Sequence, residues 1–431
     1  MSSDPDRELP EPDRRYRWLV LVILTVVYTF NFIDRQILVI LQEPIKNELG
    51  LSDAQLGILT GFSFALIYVC AGIPIAWLAD RSNRRNIIAA SLALWSAMTA
   101  LSGLVSNYSQ LILARLGVGL GEAGGSPPAH SMISDYFPPA QRGTALSFYS
   151  AGIYLGVLFG FAGGGYIAET FGWRTAFFIV GIPGVLFAAV VMLLVREPRR
   201  GRWDTAKADR PVTIAETLSV LRRLRSFWWI ALGCAMTSFV AYGNGNFFPS
   251  YLIRNHGFSV ADVGFALGLV SGIAGAIGTF MGGFIADRLG HSDKRWYLWV
   301  PVAGNVLALG PMSYALLGSD AGLILLLLFP ANILNSLYLG PSIAMVQSLV
   351  VPGMRAMASA ILFFILNMIG LGLGPVMVGV LSDAFASPFG ADNLRYAMIT
   401  TLTLGVSGTV CFLVGARSLT ADLKRQLKAA Q

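Results

Sequence analysis

Charged residues are scarce in this sequence. Only 13% of the 431 residues are Asp, Glu, Lys or Arg, whereas 55% are hydrophobic. Soluble domains carry about 25% charged residues. The mean hydropathy of +0.63 shows the same bias. This composition excludes an ordinary soluble globular protein and indicates an integral membrane protein.

Cysteine and histidine are also rare, with three of each. Cys70, Cys234 and Cys411 all fall in apolar stretches, so no disulfide framework is implied. Three histidines and scattered cysteines make no metal site. No Gly-x-x-x-x-Gly-Lys-Ser/Thr loop for binding phosphates is present. We therefore expect no metal, no cofactor, no ATP hydrolysis and no enzyme activity.

Long apolar stretches dominate what is present. A helix needs about 20 apolar residues to cross a bilayer, and twelve such stretches occur. They predict an all-α membrane protein with twelve transmembrane helices, several of them tilted or kinked because they exceed that length. Their approximate bounds are 18–41, 54–79, 86–106, 108–134, 143–168, 174–195, 227–252, 262–286, 296–317, 321–350, 356–382 and 394–416.

The basic residues predict the orientation. If both termini lie on one side, 25 of the 31 lysines and arginines also lie on that side. By the positive-inside rule both termini are cytoplasmic, and we expect a location in the cell (inner or plasma) membrane. The net charge of +7 is thus explained by topology, and we expect no nucleic-acid partner.

The longest polar stretch between spans lies between spans six and seven and divides the chain into six plus six. Ile214, Leu218, Leu221 and Leu224 recur there at helical spacing among arginines, which suggests an amphipathic helix on the membrane surface. A plain linker of fractional helicity fits equally well. The predicted divisions are an N-terminal arm (1–17), a six-helix bundle (18–195), a cytoplasmic linker (196–226), a second six-helix bundle (227–417) and a tail (418–431).

The two halves repeat each other. Each carries an Asp-Arg pair at the cytoplasmic end of its second span and an Arg at the cytoplasmic start of its fifth, which indicates a parallel repeat about an axis along the membrane normal. Pairing of the Asp with the Arg of the fifth span would close a cytoplasmic gate when the cavity faces outward. Loop anchoring is the alternative role. The residues are Asp80, Arg81 and Arg142, with Asp287, Arg288 and Arg355 in the second half.

Four charges lie well inside predicted spans, all in the first half: Asp34, Arg35, Arg115 and Glu122. A charge at the bilayer centre costs about 2.5–3.5 kcal/mol even on lenient scales, so such residues usually mark a transport pathway. Arg115 and Glu122 are seven residues apart, hence on one helical face. The glycines between them permit close helix approach, and the prolines that follow, Pro127 and Pro128, predict a kink.

One arrangement of these charges places Arg35 and Arg115 around Glu122, with Asp34 reaching a second partner. A static salt-bridge network that only locks the first and fourth spans is the alternative, although buried pairs stabilise poorly. We assign proton coupling to Glu122 and Asp34, and binding of an anionic substrate head to Arg35 and Arg115. A substrate that draws an arginine away from a carboxylate would let that carboxylate bind a proton.

Apart from Asp262 and Arg395 at the beginnings of spans eight and twelve, the six spans of the second half contain no Asp, Glu, Lys or Arg, but they do contain amides and aromatics. A charged wall facing an apolar wall with scattered amides suits an amphipathic substrate. The predicted cavity residues are Asn31 in the first span and Tyr242, Asn246, Phe247, Asn335, Tyr338, Phe363 and Asn367 in the second half.

The motifs together resemble the major facilitator superfamily over the whole chain. Its loop motif Gly-x-x-x-Asp-Arg-x-Gly-Arg-Arg/Lys is imperfect after span two, with Ala76 and Asn83 in the glycine places, and closer after span eight. Asn31, Asp34 and Arg35 with Arg115 and Glu122 are similar to the Spinster subgroup. That resemblance implies two six-helix bundles and transport of sphingosine-1-phosphate or lysophospholipids. Phe161 stands where the antiporter motif has proline, which weakens an antiporter interpretation.

We therefore expect a monomeric, proton-coupled carrier of amphipathic anions that works by alternating access in the lipid bilayer. A proton-linked carrier of drug-like or small organic anions is the alternative within this class. A non-transporting receptor on the same fold is a third possibility, although the tail leaves no room for a signalling domain.

Overall fold

The structure, a computed structural model, describes residues 13–203 and 214–429. Twelve long helical segments confirm the twelve predicted spans. Most of the N-terminal arm and part of the linker lie outside the described residues. In the first half the segments are α1 (Arg14–Ile40), α2 (Asp53–Ala79), α3 (Arg84–Ser102), α4 (Tyr108–Glu122 followed by Ser126–Tyr136), α5 (Pro139–Phe171) and α6 (Trp173–Leu194).

The second half repeats this order. Two shorter helices lie outside the twelve segments, Gln42–Leu49 after α1 and Ile214–Arg223 in the linker. The long segments are α7 (Arg225–His256), α8 (Val260–Gly290), α9 (Trp296–Leu317), α10 (Ala321–Ser336 followed by Leu339–Ser348), α11 (Arg355–Leu366, Asn367–Leu373 and Gly374–Phe389 in succession) and α12 (Asn393–Ala429).

Within the described residues, nine helical stretches are long and apolar enough to cross a membrane by length and composition alone, and one of them runs from α11 into α12. The segments not included are α3 and α4. The first turn of α3 contains Arg84, Arg85 and Asn86, which lower its hydropathy. The two pieces of α4 have 15 and 11 residues, and each is too short by itself. Packing against neighbouring helices, in addition to apolar composition, is therefore needed to place α3 and α4 in the membrane.

The interruption of α4 differs from the predicted proline kink. The helix stops at Glu122 and resumes at Ser126, so that Pro127 and Pro128 lie in the first turn of the new piece. Proline is tolerated there because the first N–H groups of a helix have no partner inside it. A Cβ on Gly121 would lie 2.7 Å from the backbone nitrogen of Trp95, so the glycines do permit close packing against α3. Glu122 thus ends a helix that is held tightly against its neighbour.

In each half, the start of the first helix and the end of the last helix lie at the same face of the molecule. The Tyr16 hydroxyl at the start of α1 donates to the Leu194 carbonyl at the end of α6. The Ser226 hydroxyl at the start of α7 donates to Asp422 near the end of α12. We call this side the terminal face and the opposite side the far face.

The linker helix lies at the terminal face against the second half. Leu221 and Leu224 are fully buried in a cluster with Phe227 and Leu349. The apolar side of the amphipathic pattern is therefore covered by protein at these two leucines.

The two halves meet where α5 packs on α8 and where α2 packs on α11. Glycines bring the backbones together. A Cβ on Gly264 would lie 2.3 Å from the Phe161 carbonyl oxygen, and one on Gly57 would lie 2.3 Å from the Pro375 carbonyl oxygen. Both glycines are near the far-face ends of their helices, so the halves are in backbone contact toward the far face.

Three of the four helices at this interface contain a π-helical segment. These segments are Ile58–Phe62 in α2, Val270–Ala274 in α8 and Asn367–Leu373 in α11. Extra residues of this kind locally unwind a helix and often coincide with bends and functional sites. The three π-helical segments lie on the terminal-face side of the glycine contacts. Farther along the same helices, Trp77 of α2 and Phe280 of α8 are exposed.

We expect Gly264→Val to destabilise the closed far face, because the added atoms overlap the α5 backbone and overpacking costs about 1–3 kcal/mol. Spin labels at Thr170 and Asp262, which flank the contact, should move apart, and the unfolding temperature in detergent should fall. Gly283→Val on the same helix is the matched control, since a Cβ there meets nothing within 4 Å. Equal behaviour of both variants would show that this contact does not hold the halves together.

Candidate functional site

The charges predicted inside the spans lie together between α1 and α4. The Arg35 Nε atom is 2.7 Å from Glu122 Oε2. Glu122 is 1% exposed, Arg115 2% and Asp34 1%. We call Asp34, Arg35, Arg115 and Glu122 the charged cluster. Its central contact is the ion pair of Arg35 with Glu122, which connects two helices of the first half.

Aromatic rings surround the Arg35 guanidinium. Its central carbon lies 4.7 Å from the centroid of the Phe64 ring and 5.0 Å from those of Phe32 and Tyr68. Rings at these distances attract a cation through their quadrupole. Sequence analysis missed Phe64 and Tyr68, although their i, i+4 spacing in α2 indicates one shared face. The arginine is therefore held by α2 as well as by Glu122.

Asp34 lies near Thr99 and close enough to Arg115 for an electrostatic interaction. Neither of its carboxylate oxygens has a hydrogen-bond partner among the described residues. Arg115 Nη1 instead lies 3.4 Å from the backbone oxygen of Asp34. Arg115 Nε and Glu122 Oε1 also lack partners in the described chain. The charged cluster is thus only partly satisfied, and several of its polar atoms remain available to a ligand.

A cavity of about 220 Å³ lies mostly within the second half. Helices α7, α8, α9 and α10 form its wall, and Phe161 of α5 contributes the one lining side chain from the first half. Three of the predicted cavity residues line it: Tyr242, Asn335 and Tyr338.

The other predicted cavity residues lie elsewhere. Phe247 is completely buried in the apolar core, and its neighbour Phe248 lines the cavity instead, because adjacent helical residues point about 100° apart. Asn246 is 8% exposed, and its carbonyl oxygen accepts from Gln42 Nε2 at 2.9 Å. Phe363 is 38% exposed, Asn367 begins the π-helical segment of α11, and Asn31 is buried next to Glu122.

Tyr242 connects the two regions. It packs against the apolar cluster of the first half and lines the cavity of the second half. It is also close enough to Arg35 for an electrostatic interaction. A ligand at the charged cluster would therefore have the cavity as its immediate neighbour.

Charges also connect the halves at the far face. Arg254 of α7 is 2.5 Å from Glu43 Oε1 and 2.7 Å from Asp53 Oδ1. Asp383 of α11 accepts from the backbone nitrogens of Asp53 and Ala54 at 3.0 and 2.8 Å, which satisfies the first turn of α2. The sequence did not indicate this network, in which contacting residues are up to 330 positions apart. We call Glu43, Lys46, Asp53, Arg254 and Asp383 the far-face network.

The predicted gate residues at the terminal face are apart in this conformation. Neither Asp80 nor Asp287 forms an ion pair with an arginine of the described ranges. Asp287 accepts from the Tyr297 hydroxyl at 2.8 Å, and Arg142 Nε donates to the Ser134 carbonyl at 3.0 Å. Arg81 stacks on Trp77, whereas Arg288 and Arg355 are exposed.

A buried arginine that sequence analysis missed braces the first half at the same face. Arg84 is 2% exposed and pairs with Asp135 at 2.6 Å and Glu197 at 2.7 Å. It therefore joins the start of α3 to the end of α4 and to the segment after α6.

The described residues contain no cluster of three or more potential metal ligands.

Comparison with known proteins agrees with this architecture. Residues 24–375 match the model of the Major Facilitator Superfamily. A crystal structure of a bacterial homolog to the human lysosomal transporter Spinster, in an inward-facing and unoccupied conformation, is 32% identical and superposes with a TM-score of 0.88 over 95% of this chain and 99% of that one. An MFS-type efflux pump of Mycolicibacterium smegmatis is 36% identical over 95% of both chains. A probable galactarate/D-glucarate transporter of Bacillus subtilis is 28% identical over 63% of this chain and 65% of its own length.

The charged cluster generates a prediction about stability. Arg35→Ala should lower the stability by about 3–5 kcal/mol, because it leaves Glu122 buried without its counter-charge. Glu122→Gln in the same chain should restore part of that loss, so the two changes should be non-additive. Thermal unfolding of the purified single and double variants measures this. Arg81→Ala, an exposed arginine that also contacts an aromatic ring, is the control. Additive losses would show that Arg35 and Glu122 act separately.

Proposed function

The chain belongs to the major facilitator superfamily, and we propose that it is a proton-coupled, Spinster-type transporter that carries amphipathic anions across the membrane by alternating access. The buried ion pair of Arg35 with Glu122 carries this proposal, and Tyr242 links it to the cavity of the other half. Sphingosine-1-phosphate and lysophospholipids have the required chemistry, with an anionic head and a long apolar tail.

In this mechanism Arg35 and Arg115 bind the anionic head. Arg115 has a partnerless Nε atom, and Arg35 retains donors beyond the one that binds Glu122. A phosphate accepts several charge-assisted hydrogen bonds from guanidinium groups. The anion would compete with Glu122 for Arg35. Binding of the head therefore loosens the ion pair without leaving the arginine unpaired.

Proton coupling follows from the protonation of Glu122 when it loses its counter-charge. A buried carboxylate without a counter-charge is costly, and proton uptake removes that cost. Loss of Arg35 to the substrate would therefore favour protonation of Glu122. Asp34, whose buried carboxylate lacks a hydrogen-bond partner in the described residues, is the second proposed proton site. Substrate and proton binding thereby become linked free energies.

Alternating access would exchange the contacts of the two faces. The far-face network and the interface glycines are closed here, whereas the proposed gate pairs at the terminal face are open. With the terminal face cytoplasmic, as the positive-inside rule predicts, this is an inward-facing state. Closing Asp80 onto Arg142 and Asp287 onto Arg355 would stabilise the outward-facing state in the cell membrane.

A second candidate is transport of small organic anions such as sugar acids. The cavity contains more amide and hydroxyl groups than the sequence had suggested. The Bacillus subtilis relative, a probable galactarate/D-glucarate transporter, favours the same substrate class. The charged cluster would serve both kinds of anion, so the two candidates differ in the neutral part of the substrate.

Glu122→Gln should abolish proton-driven transport while leaving the protein folded, because the amide keeps the shape but cannot exchange a proton. Flux of a lysophosphatidate and of galactarate into proteoliposomes, with and without a pH gradient, measures this and separates the two candidate substrates. Glu48→Gln is the control, since Glu48 accepts from Trp173 and Arg174 at the far face. Undiminished gradient-driven flux in Glu122→Gln would refute its coupling role.

A further inference from the structure

The cavity of the second half contains many polar groups but no charge. None of its lining residues is Asp, Glu, Lys, Arg or His. It therefore contains nothing that would neutralise an ionic group, and burial of an unpaired charge there would be costly. Its polar lining residues are three amides, three aliphatic hydroxyls and two phenols: Asn244, Asn332, Asn335, Ser271, Ser336, Thr279, Tyr242 and Tyr338.

Some of these groups are already used to hold the wall together. Asn244 Nδ2 donates to the Met398 carbonyl at 3.2 Å, and Asn244 Oδ1 accepts from the Thr401 hydroxyl at 2.7 Å. The Tyr154 hydroxyl donates to Thr279 Oγ1 at 3.0 Å across the interface of the two halves. These residues have structural roles and are not the candidates for binding.

Two amides on α10 are different. Asn335 forms no hydrogen bond with any residue that the structure describes, although it lines the cavity. Asn332 uses Nδ2 for the Leu328 carbonyl at 3.3 Å, which leaves its own amide oxygen available. Residues three apart lie on one helical face, so the two amides present donors and acceptors to the same space.

The position of these amides relative to the charged cluster decides what they would bind. Tyr242 lines the cavity together with the two amides and is close enough to Arg35 for an electrostatic interaction, so a substrate whose head binds Arg35 would enter the cavity past Tyr242. An apolar chain placed there would bury amide groups without hydrogen-bond partners, which is unfavourable. A neutral group that both donates and accepts, such as a hydroxyl, satisfies them.

We infer that this cavity is a subsite for a neutral, hydroxyl-bearing part of the substrate directly adjacent to its anionic head, with Asn335 and Asn332 as the specificity-determining residues. The inference rests on the proposed function, because it takes the charged cluster as the site of the anionic head. It adds a requirement that neither an alkyl phosphate nor a simple fatty anion fulfils.

The test uses two probes that differ by one hydroxyl: 1-O-decylglycerol 3-phosphate and its 2-deoxy analogue, 3-decyloxypropyl phosphate. Their dissociation constants for the full-length protein in nanodiscs are measured by calorimetry. The hydroxylated probe should bind roughly 5–10-fold more tightly, the value of about one well-formed hydrogen bond. Asn335→Leu should raise the dissociation constant of the hydroxylated probe to that of the deoxy probe. The dissociation constant of the deoxy probe should stay unchanged.

Asn332→Leu is the second variant. It should also reduce the ratio of the dissociation constants of the deoxy and hydroxylated probes, so the test remains valid if Asn335→Leu fails to fold. Asn255→Leu is the matched control. Asn255 is an amide of the same half that donates to the Ala391 carbonyl at 3.3 Å and to Asp392 at 3.1 Å, and it does not line the cavity. Its substitution should leave the ratio of the two dissociation constants as in the wild type.

The outcomes separate the inference from the proposed function. If the wild type binds both probes with equal affinity and Arg115→Ala weakens the binding of both, the subsite is refuted. The anion site is then still supported. A ratio that persists in both Asn335→Leu and Asn332→Leu also overturns the inference. If neither probe binds the wild type, the proposed function fails and the subsite fails with it.

Discussion

The cost of keeping ionised side chains away from water governs the first half of this transporter. Arg35 and Glu122 lie 2.7 Å apart with Glu122 almost fully buried, so each needs the other. The aromatic residues of α2 surround the arginine, and the interruption of α4 places the glutamate at the end of a helix. A ligand that offers Arg35 a better anion changes all of these contacts together. In the proposed mechanism, this sensitivity connects substrate binding to the protonation of a carboxylate.

The second half has the complementary chemistry. Its cavity contains amides and hydroxyls without charge, and helices α7, α8, α9 and α10 form the cavity wall. Division of ionic and neutral recognition between two bodies has a mechanical consequence. A substrate that contacts both parts favours the states in which the halves approach each other, and this coupling is the requirement for transport by rocking of two bundles.

The contacts between the halves explain how such rocking is accommodated. At the far face, interface glycines such as Gly264 permit backbone contact, and Arg254 reaches across to Glu43 and Asp53. These contacts are polar or small, and apolar residues of both halves, such as Phe161 and Leu267, share one buried cluster beside them. The π-helical segments of α2, α8 and α11 lie farther along the same helices, where an unwound turn absorbs bending at lower cost than a regular helix.

The sequence by itself determined the twelve helices, the repeat of two halves and the identity of the intramembrane charges. Each of these depends on local composition or on periodicity, because a bilayer requires long apolar helices and penalises every charge. The superfamily was likewise recognisable from short motifs. The position of the interruption in α4 was missed by a few residues, because proline marks a helix boundary without stating on which side the break occurs.

Only the tertiary structure decided which residues meet across helices. Periodicity identifies the residues that share a face but not the neighbour that this face contacts. Phe248 rather than Phe247 lines the cavity, and Asp34 of α1 lies near Thr99 of α3. Arg254 and Glu43 are 211 positions apart, and their contact depends on how the two bundles are oriented. The charges were thus visible in the sequence, whereas their partners depend on rotations and tilts that no local pattern specifies.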